Sequence, residues 1–86
     1  VGFQIDDPLS KPQLEKWLNW LPPSVLRAKG FVKLDGYDGT FEVQAARGYV
    51  NIMPFDNAVN PDPMLILITH PMRTDGLVKG LQKCIA

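Results

Sequence analysis

Residues 25–35 read VLRAKGFVKLD. In a strand, successive side chains point to opposite faces. By that parity Leu26, Ala28, Gly30, Val32 and Leu34 share one face, and Arg27, Lys29, Phe31 and Lys33 share the other. The first set is apolar; the second gathers three cations and an aromatic ring. A strand apolar on one side belongs to a sheet with a core behind it and an open surface in front.

Downstream, Asp35–Gly39 (DGYDG) predicts a turn. Thr40–Ala46 then alternates, with Phe41, Val43 and Ala45 on one side and Thr40, Glu42 and Gln44 on the other. Arg47-Gly48 predicts a tight turn into a further alternating stretch, Tyr49–Phe55. The three segments predict an antiparallel meander. Glu42 and Gln44 are expected to neighbour the basic face of residues 25–34, where cross-strand ion pairs can balance part of its charge. Residues 56–63, DNAVNPDP, predict a polar loop. The apolar run MLILITH (64–70) predicts a central strand covered on both faces, ended by Pro71.

Two helices flank this set. Val1, Phe3 and Ile5 alternate as a short strand that ends at Asp6-Asp7-Pro8. Ser10 is then the expected N-cap, with Gln13 completing a capping box and Leu9 and Leu14 a hydrophobic staple. Asp6 and Asp7 are expected to meet the helix dipole. Pro12 fits the first turn. Leu14, Trp17, Leu18 and Leu21 form the apolar stripe, and Pro22-Pro23 stops the helix. A second helix is expected from an N-cap at Thr74 to Ile85, with Leu77, Val78, Leu81, Cys84 and Ile85 inward. Gly76 and Gly80 each weaken it by about 1 kcal/mol relative to Ala, a cost that close packing on the sheet would explain. The order β-α-β-β-β-β-α predicts an α+β fold: a two-layer sandwich, a mainly antiparallel sheet with both helices on one face.

The chain has 86 residues, the length of one domain. Nine basic residues balance nine acidic ones, which argues against bulk attraction to nucleic acid or an anionic membrane. Cys84 stands alone, so no intrachain disulfide forms, which suits a reducing cytoplasm. No stretch reaches the ~20 apolar residues of a membrane span. The chain starts at Val1, already alternating and without a basic leader, and reads as a piece of a longer protein.

Catalytic signatures do not emerge. The sequence contains no GxxxxGK[ST], GxGxxG, CxxC or HExxH, and one His with one Cys cannot build a zinc site. His70 is the candidate single ligand, but a strand-end histidine accounts for it; Cys84 reads as a small core residue. No catalytic, cofactor-binding or metal residue is therefore assigned. Lys29-Gly30-Phe31 opens like the RNA-binding signature K/R-G-F/Y-G/A-F-V-x-F/Y, then departs at Val32, Lys33 and Leu34. A small RNA-binding module using the open basic and aromatic face is the alternative reading, with nucleic acid not the expected partner.

A longer pattern is more specific. Leu18-Asn19-Trp20-Leu21-Pro22 leads to Val25-Leu26-Arg27-Ala28-Lys29-Gly30, then Leu65-Ile66-Leu67-Ile68, then Leu81-Gln82-Lys83-Cys84-Ile85. In this order the chain resembles, over nearly its whole length, the C-terminal domain of the CobW family of P-loop GTPases associated with cobalt and zinc trafficking. Thr69-His70 departs from the Ile-Gly common at that point in the family, and the His-rich segments of many members are absent. The resemblance implies a single domain over residues 1–86 whose GTPase domain lies upstream. It implies a non-catalytic accessory domain in metal trafficking or cobalamin-related metal insertion in the cytoplasm. No cofactor is then expected in this piece; GTP, Mg and Zn or Co belong to the parent. The implied partners are the upstream GTPase domain and a metal-receiving client protein, not a membrane. Arg27, Lys29, Phe31 and Lys33 are the expected contact residues.

Overall fold

In the computed structural model, which describes residues 2–55 and 61–86, the chain runs β1 (Gly2–Gln4), α1 (Lys11–Trp20), β2 (Val25–Val32), β3 (Phe41–Ala46), β4 (Tyr49–Pro54), β5 (Met64–Thr69) and α2 (Asp75–Gln82). The element order and the α+β class are those predicted. Val1 of the first expected strand and residues 56–60 of the expected loop lie outside the described residues.

The strands form one antiparallel sheet in the order β1-β5-β2-β3-β4. β2–β3–β4 is the expected meander, and Gly48 supplies the positive φ (75°) that the Arg47-Gly48 turn requires. β5 returns to pair with β2 and separates it from β1.

Behind the sheet, one continuous core joins Ala28 and Val32 of β2, Val43 and Ala45 of β3, and Leu65 and Leu67 of β5 to Leu14, Trp17 and Leu18 of α1 and Leu77 and Leu81 of α2. Trp17 donates its indole N–H to the Leu77 carbonyl at 3.2 Å, which ties the two helices together. Gly80 lies against the same ring: a Cβ there would sit 2.9 Å from Trp17 Cδ1 and Nε1. The close packing expected at the glycines is therefore between helices rather than on the sheet, and it holds for Gly80 but not for Gly76, which has open space beside it.

Residues 8–10 are clamped from both sides. The Leu9 N–H donates to the Lys33 carbonyl and the Asp35 N–H to the Leu9 carbonyl, while the Ser10 N–H donates to Cys84 O at 2.7 Å. These backbone bonds order the start of α1. Ser10 is the N-cap but makes no side-chain cap bond, so the expected capping box does not form. The first turn of α1 holds no acidic residue; Asp6 and Asp7 lie too far upstream to meet its dipole. α2 ends at Gln82, short of the expected Ile85, because the last residues turn away to bond with residues 8–10; Cys84 stays buried while Ile85 emerges.

Two strand expectations need correction. A register shift between Val25 and Arg27 on the β5 side turns Val25 into the core and leaves Leu26 exposed. β5 is flanked by strands on both edges but covered on one face only: Met64, Ile66 and Ile68 are 37%, 38% and 46% exposed.

Candidate interaction surface

The helices occupy one face of the sheet, so the functional question concerns the other. Residues paired across neighbouring strands point to the same face, and the register therefore maps this surface in rows. One row runs Ile68, Arg27, Ala46, Tyr49 across β5, β2, β3 and β4. The next runs Ile66, Lys29, Gln44, Asn51, and the third runs Met64, Phe31, Glu42, Met53. Read along the strands, β5 contributes an apolar column beside the cationic column of β2.

The structure brings Arg27, Lys29 and Phe31 together on this face. Lys33 is set apart: it follows the end of β2, its carbonyl accepts from Leu9, and its exposed side chain borders a hollow with Pro8, Tyr37 and Pro63. Phe31 is half-buried, with Phe55 packed edge-on against it at 4.7 Å between ring centres and 64° between planes. The ring belongs to an aromatic pair rather than to an open stacking platform, which removes the observation that favoured RNA.

Gly30, the middle residue of Lys29-Gly30-Phe31, has a packing reason. A Cβ there would run into the Met64 carbonyl oxygen and lie 2.9 Å from Leu65 Cα. It permits close approach of β5 to β2 on the core side and says nothing about a ligand.

The expected cross-strand ion pairs do not form among the described residues. Glu42 stands opposite Phe31, and Lys29 stands opposite Gln44. The ion pair present is Arg73–Asp75 at 3.9 Å, both exposed and remote in sequence from this face. Arg27 and Lys29 thus have no carboxylate partner among the described residues. Between Arg27 and Tyr49, Ala46 is too short to fill the row. A depression of about 180 Å³ results, bordered by Arg27, Lys29, Gln44, Tyr49 and Ile68.

Sequence reasoning missed the apolar half of this surface. The signal was the even parity of Met64, Ile66 and Ile68, which a register against Arg27 and Lys29 makes visible.

The remaining candidates stand elsewhere. His70 is exposed at the end of β5, with its backbone N–H donating to Ser24 O. Cys84 is buried, its thiol donating to Gly80 O at 3.5 Å, and burial raises its pKa from the ordinary 9.0. A raised pKa keeps the sulfur protonated, the opposite of what a nucleophile or metal ligand needs. Among the described residues no three His, Cys, Asp or Glu side chains come together, so these residues do not fit a zinc or cobalt centre. No described helix is long and apolar enough to cross a membrane.

The family profile described as "Cobalamin synthesis protein cobW C-terminal domain" matches residues 1–85. No curated protein matches the chain. Among solved structures, the chain is similar to the crystal structure of a Zn(II)-bound triple mutant of YjiA GTPase, with 14% identity and a TM-score of 0.75 over 100% of this chain and 29% of that one. At that identity the likeness speaks to the fold, and the chain spans less than a third of that protein's length.

Proposed function

This chain belongs to the cobW C-terminal domain family, and from that premise we propose that it is the non-catalytic accessory domain of a longer GTPase that traffics cobalt or zinc, or serves cobalamin-related metal insertion, in the cytoplasm. Its role is to dock on the GTPase domain upstream in the same chain, or on a client protein that receives the metal. GTP, Mg and the transported metal belong to that upstream domain. The observation that carries this reading is the uncovered sheet face. It sets an apolar β5 column beside two cations that lack a carboxylate partner among the described residues. Such a surface is suited to a protein partner, since exposed contiguous apolar area rimmed by charge marks interaction sites.

The test is charge reversal in the full-length protein, Arg27→Glu with Lys29→Glu. The expected result is a folded protein with altered GTP turnover or metal delivery. If turnover and delivery both match the parent protein, the docking role is wrong.

A further inference from the structure

Resting on that docking role, we infer that the occupant of the open face is an amphipathic helix of the upstream domain of the same chain, which lays its apolar stripe along β5 and places a carboxylate in the depression beside Arg27 and Lys29. The dimensions favour a helix. Neighbouring strands lie about 4.8 Å apart, and a helix with side chains is about 10 Å across, so one helix covers the β5 and β2 columns together. Met64, Ile66 and Ile68 then meet the apolar stripe. Arg27 and Lys29 stand one column over, at the border of that contact, where an Asp or Glu flanking the stripe arrives. The depression bordered by both cations, Gln44 and Tyr49 offers Arg27 the room for a two-pronged contact with a carboxylate.

Charge selects against the other occupants. A second copy related by a two-fold axis through the middle of the face would set Arg27 and Lys29 against their own counterparts, a like-charge confrontation. A basic helix would meet the same repulsion. RNA is disfavoured by packing instead, since Phe31 is engaged by Phe55 and offers no open ring for a base.

The experiment uses the full-length chain and two readouts. Zero-length carbodiimide coupling, with peptide mapping by mass spectrometry, identifies the carboxylate joined to Lys29. Hydroxyl-radical oxidation compares Met64 with Trp20, which is 63% exposed on α1. The expected result is slow oxidation of Met64 together with a Lys29 cross-link to an Asp or Glu on an apolar-striped helix, lost in the Ile66→Ser, Ile68→Ser variant. Protected Met64 with Lys29 joined to nothing, or to Glu42, overturns the carboxylate helix while leaving docking intact. Unprotected Met64 overturns the inference and, with it, docking of this face on the upstream domain. Cross-links between isotopically distinct copies show a second copy on the face and overturn the inference.

Discussion

The indole N–H of Trp17 reaches the backbone carbonyl of Leu77 across 3.2 Å, joining two helices whose bonded residues are 60 positions apart. Trp17→Phe keeps most of the ring and removes the donor. The expected cost is about 1–2 kcal/mol, the usual range for a lost buried hydrogen bond with a small cavity. Urea unfolding reads it directly. The same variant should leave the emission of exposed Trp20 as the whole tryptophan signal.

The two glycines of α2 should respond in opposite directions. Gly76→Ala adds a methyl into open space and should stabilise by up to about 1 kcal/mol. Gly80→Ala gains the same propensity but drives its Cβ into the Trp17 ring, so it should destabilise by about 1–3 kcal/mol. Thermal unfolding of the pair checks the sign of each.

Gly30→Ala places a methyl against the β5 backbone, which cannot swing aside as a flexible side chain can. A loss of about 3 kcal/mol or more is expected, with faster amide exchange along β5 and β2. An equilibrium stability equal to the parent's would show that the two strands separate freely.

Neighbouring residues of β5 provide a test of the one-sided sheet. Leu65→Ala, at 0% exposure, should cost about 2–5 kcal/mol. Ile66→Thr, on the open face, should cost under about 1 kcal/mol in the 86-residue chain. Comparable losses at both positions would mean that the open face is covered.

Cys84 adds a pH dependence. Its folded pKa lies above its ordinary value of 9.0, so the unfolded chain releases the thiol proton first as pH rises. The contribution to stability is full below the unfolded pKa and declines as pH climbs through the higher folded value. Parent minus Cys84→Ala stability, measured between pH 7 and about 11, should fall across that window. A flat difference would place the thiol in water. In the folded state at neutral pH the thiol should also resist aromatic disulfide reagents.

The family and the element order were legible because their signals are local. Pro22-Pro23 stops α1, Gly48 turns β3 into β4, period-two alternation marks β1 to β4, and a short apolar run ended by Pro71 marks β5, without knowledge of their neighbours. The candidate surface was legible only in part, and for the same reason. Parity placed Arg27, Lys29 and Phe31 together, but it overran the strand by including Lys33 and paired Glu42 with cations it does not face.

What the sequence determined by itself is therefore the list of elements, the apolar side of those that alternate or carry a helical stripe, and membership in a family built from them. The tertiary structure decided which strands are neighbours and in what register. It put β5 between β1 and β2, turned Met64, Ile66 and Ile68 outward beside Arg27 and Lys29, and fitted Gly80 against Trp17. These are contacts between residues far apart in the chain. Periodicity orients a side chain within its own element, whereas the identity of its neighbour follows from how the whole core closes.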